Sequence, residues 1–219
     1  MRTVINIDSA RRIFRLALTG VLLAGVVIMP GRARADGAGG AGGGASYFTT
    51  RSILAEFFPR SERVTYRTVV MDSGLKDRIS RRLGYEPAAP RYTIFVATTG
   101  ANIDGYAVID DQLGEHQPIT FATKLSVRAV VERVEIVAYR EPRGDEVRDI
   151  RFRSQFVGKT ARDPLRLNHD IDAVTGATIS SGAMAVAVRR AAVLVEEAMV
   201  GHTTVATAAS SSPSGPAAH

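Results

Sequence analysis

Cysteine is absent from this sequence, and histidine occurs only four times among its 219 residues. Without cysteine the chain has no disulfide, no thiolate metal site, no cysteine nucleophile and no lipid-modified N-terminal cysteine. The fold must therefore be stabilised by its core alone, which a chain of this length permits. The histidines show neither an i, i+4 nor an H-x-H spacing, so we expect no metal site. They are His116, His169, His202 and His219.

A basic segment with interleaved aromatic residues is also lacking, although the formal net charge is +6. Most of this charge lies in residues 1–35, which contain six Arg and one Asp. The remaining 22 basic and 21 acidic residues leave a net charge near +1. Nucleic acid is therefore not an expected partner.

The N-terminus has the order of features that is typical of a secretory signal peptide. A basic region with four arginines is followed by an apolar run from Leu16 to Met29 and by the small residues around Ala35. We predict that residues 1–35 are removed after Ala35 and that the protein is exported to the periplasm. An uncleaved, membrane-associated anchor is the alternative. Arg11-Arg12-Ile13-Phe14 resembles a twin-arginine signal, so the general and the twin-arginine export routes both stay open.

Composition divides the remaining chain into three parts. Residues 36–46 are rich in Gly and Ala and are predicted to be a flexible linker. Residues 47–201 carry the apolar patterns of a single folded domain without internal repeats. Residues 202–219 are rich in Ser, Ala, Thr, Pro and Gly and are predicted to be disordered.

Within the domain, a short helix is predicted from Ser73, as its N-cap, to Gly84. Four β-rich segments follow with short links, which favours an antiparallel meander. They are Tyr92–Thr98, Gly105–Ile109, Ile119–Leu125 and Val130–Tyr139, and the last alternates as a half-buried strand should. A short helix around Asp149–Val157 comes next. The predicted fold class is α+β, an antiparallel sheet with flanking helices in a single domain behind the signal peptide.

The last predicted helix runs from Ser181 to about Val200. An apolar stripe marks its inner side, and charged residues fill much of the other side. The stripe consists of Met184, Val188, Ala191, Val195 and Ala198, and the charged residues are Arg189, Arg190, Glu196 and Glu197.

The segment Asp170–Ser181, directly before that helix, suits a phosphate group. A helix N-terminus leaves unpaired N–H groups and a partial positive charge. Gly176 and Ala177 have almost no side chain, which lets a ligand approach the backbone closely. Hydroxyl side chains surround them at Thr175, Thr178, Ser180 and Ser181. The residues alone favour simple helix capping and a tight turn over a ligand site.

The stretch from Asp172 to Thr178, Asp-Ala-Val-Thr-Gly-Ala-Thr, resembles the flavinylation motif of the FMN-binding domain family. This family includes the flavin-bearing periplasmic subunits of Rnf-type and sodium-pumping redox complexes and single-domain exported proteins. The resemblance implies that an exported, FAD-using FMN transferase attaches FMN to Thr178 through a phosphoester bond. It also implies roles for Asp172 as the acidic residue that the transferase requires and for Gly176 and Ala177 as the small pair. Thr175 and Ser180 occupy the motif's two other hydroxyl positions.

The likeness covers about residues 105–198, with Gly105-Tyr106-Ala107-Val108 and Gln155-Phe156-Val157-Gly158-Lys159 among its landmarks. One turn departs from the pattern of the redox-complex subunits. Where they have Glu-Thr-Pro-Gly, this chain has Glu141-Pro142-Arg143-Gly144. The departure leaves open which contacts this turn makes to the isoalloxazine ring.

Other polar residues have alternative interpretations. Gln155, Phe156 and Lys159 could line a flavin, but core packing explains Phe156 equally well. Two acidic pairs are interpreted as solvated loop charges, and a local arginine cluster as a solvated face, with docking of an acidic redox partner as its alternative. The acidic pairs are Asp110 with Asp111 and Asp170 with Asp172, and the cluster is Arg143, Arg148, Arg151 and Arg153.

These observations predict an exported electron-transfer flavoprotein that works with membrane-bound or periplasmic redox partners. The chain shows no acid/base constellation or substrate motif, which favours an electron carrier over a stand-alone enzyme. In this interpretation the cofactor performs the redox chemistry and the protein supplies attachment and orientation. The alternatives are a sensory or structural module that binds FMN reversibly and a flavin-dependent reductase.

Overall fold

A computed structural model describes residues 4–5 and 44–201 of the chain. The predicted cleavage site after Ala35, the glycine-rich linker up to residue 43 and the tail from His202 onward lie outside the described residues. Ala45–Ser46, at the end of the predicted linker, pairs with Tyr139 and Ala138 at one edge of the sheet.

Seven strands form one antiparallel sheet in the order β1-β3-β4-β5-β6-β7-β2. The strands are β1 (Val4–Ile5), β2 (Ala45–Ser46), β3 (Arg63–Val70), β4 (Arg91–Thr99), β5 (Asn102–Leu113), β6 (Pro118–Leu125) and β7 (Val131–Tyr139). Strands β4 to β7 are sequential neighbours, so the predicted meander is confirmed.

Helices flank the sheet, and the predicted α+β class is confirmed. They are α1 (Thr50–Phe57), α2 (Ser73–Leu83), α3 (Ile150–Ser154) and α4 (Thr178–Val195), with a 3-10 turn at Asp145–Arg148 before α3 and a π-helical turn at Glu196–Val200 after α4. The prediction of Ser73 as the cap of α2 is wrong by one residue. The carboxylate of Asp72 accepts the N–H of Leu75 at 2.9 Å, and Gly84 ends the helix with φ of 81° as predicted.

Both faces of the sheet are covered, so the prediction that β7 is half-buried is wrong. Val134 and Ile136 face the core under α4, whereas Val137 faces a second cluster with α1. The predictions omitted α1 and β3, and α1 is the element that covers this second face. Its N-terminus has a capping box in which Thr49 and Ser52 bind each other's backbone N–H.

Helix α4 is the central element of the core and begins three residues earlier than predicted. The helix and the π-helical turn after it are long and apolar enough to cross a membrane. However, 72 % of their most apolar 18 residues are buried in the domain, as in the core helix of a globular protein. The prediction that Arg190 lies on an outer, charged side is wrong, since this residue is only 7 % exposed. Its guanidinium donates to the Asp110 carboxylate at 2.6 Å and to Gln112 at 2.9 Å.

Candidate functional site

The segment singled out by its glycine and hydroxyl residues forms the first turn of α4. Ala177 is the N-cap residue, and it makes no side-chain hydrogen bond. By helix geometry the N–H groups of Thr178, Ile179 and Ser180 have no acceptor within the helix. The N-terminus of this 18-residue helix therefore presents unpaired donors and a partial positive charge.

The two small residues before the helix have different environments. Gly176 has φ of 82°, and a Cβ built on it would meet nothing within 4 Å. This glycine therefore permits the left-handed turn and leaves open space above it. Ala177 is 3 % exposed, so its methyl group packs into the core while its backbone starts the helix.

The hydroxyl groups of the segment also have different roles. Ser181 accepts the N–H of Val174 at 3.2 Å, and Ser180 is hydrogen-bonded to the Tyr139 hydroxyl at 2.8 Å. Both serines are buried. Thr178 is exposed, and its hydroxyl has no hydrogen-bond partner in residues 44–201. Thr178 is thus the hydroxyl of the first turn of α4 that is free to react.

A cleft of about 330 Å³ opens beside Thr178. It is lined by Glu115, Glu141, Arg143, Gly144, Gly176, Ala177, Thr178, Ile179 and Ser180. Four of the six predicted site residues therefore meet at this cleft. Thr175 and Asp172 are exposed on the preceding loop and are not among the residues that line it.

The turn at residues 141–144, which differs from the family pattern, forms the wall of the cleft opposite Thr178. Glu141 is buried in this wall. The Glu141 carboxylate accepts the backbone N–H groups of His116 at 2.7 Å and Gln117 at 2.8 Å, both from the β5–β6 hairpin. Burial by itself raises the pKa of Glu141, but these two N–H groups, the charge of His116 and the N–H of Glu115 together outweigh it and hold the pKa below its ordinary value. A Cβ on Gly114 would overlap Glu141 Oε1, so the hairpin needs glycine there.

One oxygen of the Glu141 carboxylate lacks a hydrogen-bond partner, and the cleft has a single positively charged lining residue among the described residues. Glu141 Oε2 is buried and has no hydrogen-bond partner among the described residues, and His116 Nδ1 lies 3.6 Å from it. Arg143 is the cation among the lining residues in this part of the chain, and its side chain is exposed. The approach of the Glu141–Gly144 turn to α4 depends on the tertiary fold. From the sequence this turn was therefore recognisable only as a departure from the Glu-Thr-Pro-Gly pattern.

Several of the other polar interpretations are wrong. Asp110 pairs with buried Arg190, and Asp170 pairs with Lys159 at 3.0 Å, so neither is a solvated loop charge. Phe156 is fully buried against Phe152 and belongs to the core.

The predicted arginine cluster is not one solvated face. Arg153 forms an ion pair with Glu135, and Arg148 lies over the Tyr47 ring with 3.8 Å to its centroid. Within residues 44–201 we find no group of three or more His, Asp or Glu side chains placed to hold a metal ion.

The model of the family described as FMN-binding domain matches residues 93–193. The matched segment runs from β4 into the C-terminal half of α4 and contains every residue that lines the cleft. The predicted resemblance to this family is therefore confirmed over these residues, and the match supports flavin binding. No curated protein matches the chain significantly.

Proposed function

The chain carries a domain of the FMN-binding domain family over residues 93–193, and from this premise we propose that it is an exported electron carrier with FMN bound covalently to Thr178. The observation that carries the proposal is the exposed, unbonded Thr178 hydroxyl at the uncapped N-terminus of α4. Thr178 lines a cleft between the start of α4 on one side and the β5–β6 hairpin and the 141–144 turn on the other.

The described residues fit the phosphate end of FMN. A phosphodiester keeps one negative charge, which the partial positive charge and the free N–H groups of α4 stabilise. The open space at Gly176 leaves room for phosphate oxygens next to the backbone. A volume of about 330 Å³ also lies within the range of ligand pockets, roughly 300–1,000 Å³.

Attachment in this proposal is a phosphoryl transfer from FAD, catalysed by an exported transferase. The Thr178 oxygen forms a bond to the phosphorus of the FMN half, and the bond between that phosphorus and the bridging oxygen breaks. AMP leaves with this oxygen, and the hydroxyl proton is released to solvent. No electron is transferred, and the product is a phosphodiester between Thr178 and riboflavin.

Bound FMN would supply reversible uptake and release of electrons, and the protein's part is attachment and orientation. A tether through the phosphate keeps the cofactor on the chain while the ring can meet a donor and an acceptor in turn. Glu115, Glu141 and Arg143 place two negative and one positive side chain at the cleft, where each would act on the charge of the bound group. In this proposal, redox partners in the membrane or the periplasm donate electrons to the flavin and accept electrons from it.

The testing experiment is intact mass of variants co-expressed with the transferase. Thr178→Val should remove the covalent mass of one FMN, whereas Thr178→Ser should retain some of it, because serine keeps an oxygen nucleophile. Thr178 is inside the helix and makes no capping bond, so Thr178→Val should leave the melting temperature nearly unchanged. Thr68→Val is the matched control, since it removes an exposed threonine hydroxyl on β3, outside the cleft and the motif, and should keep the adduct. A folded Thr178→Val protein with one covalent FMN would falsify the assignment.

The same preparation separates the alternatives. Flavin that leaves the chain on denaturation and desalting supports a module that binds FMN reversibly, and steady turnover of an added substrate supports a reductase. Export is tested on periplasmic material, whose intact mass should correspond to a chain that starts at Asp36. Such a chain lacks the edge strand β1 (Val4–Ile5) and keeps the other six strands of the sheet. Recovery of only the full-length protein from the cytosol contradicts the export step.

A further inference from the structure

The loop before α4 contains two aspartates, of which one carboxylate is bonded within the loop and the other is exposed. Asp170 turns inward, where its carboxylate accepts the N–H groups of Arg166 at 2.8 Å and Leu165 at 3.1 Å and binds Lys159. The Asp172 carboxylate is exposed and makes no hydrogen bond or ion pair within residues 44–201. Asp170 thus stabilises the loop, whereas the Asp172 carboxylate is left available.

The backbone of Asp172 is held, although its carboxylate is free. The Gln155 side chain accepts the N–H of Asp172 at 2.8 Å and donates its own amide N–H to the Asp172 carbonyl at 3.2 Å. One primary amide thereby binds both polar groups of one residue's backbone, as a neighbouring strand would. A carboxylate at position 155 could accept the first bond but could not donate the second.

The contacts on either side of Asp172 show how this pair of hydrogen bonds holds the backbone that carries its carboxylate. Ile171 is 1 % exposed and anchors the loop in the core on one side. On the other side Val174 is held through Ser181, and the Ala177 N–H bonds to the Val174 carbonyl at 3.0 Å. Asp172 is exposed between these anchors, and the Gln155 amide is the contact that fixes its backbone.

We propose that Gln155 is a positioning residue for flavin attachment, which holds Asp172 so that its carboxylate is presented to the transferase that modifies Thr178. This inference rests on the proposed function. Gln155 itself touches neither the cleft nor Thr178, and it acts through the loop. A loop that is held in its binding geometry avoids the cost of being ordered on binding. Loss of the Gln155 hydrogen bonds should therefore weaken binding of this protein by the transferase more than it slows the transfer step.

The test measures transfer of FMN from FAD to the purified, flavin-free chain by the transferase, as a function of acceptor concentration. Gln155→Glu and Gln155→Met are compared with wild type. If the held geometry falls to about a tenth of the population, KM for the acceptor rises about tenfold, with kcat nearly unchanged. Ser154→Ala is the control, because this neighbouring hydroxyl donates only within its own helix, to the Arg151 carbonyl at 2.8 Å.

Melting curves of the same variants show whether the fold is intact, and Gln155→Met and Gln155→Glu provide two independent substitutions of a half-buried side chain. KM values within twofold of wild type for both variants overturn the proposal, as does a fall in kcat at constant KM. In either case wild type still acquires flavin, so the proposed function stands. A wild-type chain that acquires no covalent flavin overturns both.

Discussion

The hydroxyl of Tyr139 lies 2.8 Å from Ser180 Oγ, and this pair joins the end of β7 to the first turn of α4. Tyr139 also donates to the Arg143 carbonyl, so one phenol connects both walls of the cleft. Burial raises the pKa of Tyr139, and the hydrogen bond with Ser180 offsets this only in part. The phenol therefore remains a donor at neutral pH.

Removing this hydroxyl should measurably destabilise the domain. Tyr139→Phe leaves the Arg143 carbonyl without its donor and the Ser180 hydroxyl without its partner, at a cost of about 1–3 kcal/mol in the free energy of unfolding. Urea unfolding measures this change. Tyr106→Phe is the matched control, because Tyr106 is also buried but its hydroxyl makes no hydrogen bond that we find among the described residues. Equal losses in the two variants would contradict the role of the Tyr139 pair.

Gly144 should be far less tolerant of a side chain than Gly158, although both are in the left-handed region. Their φ angles are 91° and 84°, so alanine costs about 1–2 kcal/mol at either position. A Cβ on Gly144 would also lie 2.7 Å from the Tyr139 hydroxyl and 2.8 Å from Ser180 Oγ, whereas one on Gly158 meets nothing within 4 Å. We expect Gly144→Ala to lose more stability and to lower the flavin content. Unfolding curves and intact mass test both effects, and equal stability losses would refute the close approach.

The ion pair between Arg190 and Asp110 gives a third prediction. Asp110→Asn leaves a guanidinium that is only 8 % exposed without its carboxylate, and we expect a loss of about 2–4 kcal/mol, since breaking buried pairs costs about 3–5 kcal/mol and Asp110 is partly exposed. Asp111→Asn is the control, because Asp111 is exposed and its carboxylate binds only the Thr120 hydroxyl. This change should cost less than about 1 kcal/mol. Chemical denaturation that ranks the variants in the other order would exclude a structural role for the pair.

The acid sensitivity of the domain should depend on Glu141. Its pKa is lower in the folded state than the ordinary value of 4.5, because the effect of burial is outweighed by the backbone N–H groups of residues 115–117 together with the charge of His116. A depressed carboxyl pKa contributes stability that is complete above pH 4.5 and is lost as the pH falls through the folded value. Glu141→Gln should therefore lose less stability between pH 7 and pH 3 than wild type. The free energy of unfolding in urea at both pH values tests this, and identical losses would rule it out.

Local patterns in the chain were sufficient for the meander and for the segment at the start of α4. Each of the strands β4 to β7 is rich in β-branched and aromatic residues, and Gly100 and Gly114 mark the first two of the three links. The Gly176-Ala177-Thr178 stretch precedes a long apolar run, which is typical of a helix N-terminus. These features depend on neighbours within a few residues, so periodicity and turn chemistry were enough to predict them.

Residue types at short spacing were enough to predict the resemblance to the FMN-binding domain family, the α+β class and the hydroxyl-bearing segment before α4, because each of these depends on neighbouring residues. Which polar side chains form hydrogen bonds or ion pairs, and which stay exposed without a partner, depends on the tertiary structure. Glu141 is held by a hairpin about 25 residues earlier in the chain, Arg190 is buried against Asp110, and Gln155 holds Asp172 across 17 positions. These pairs form because the sheet and α4 bring distant segments together, and hydrogen bonding in a buried site depends on that approach rather than on local propensity.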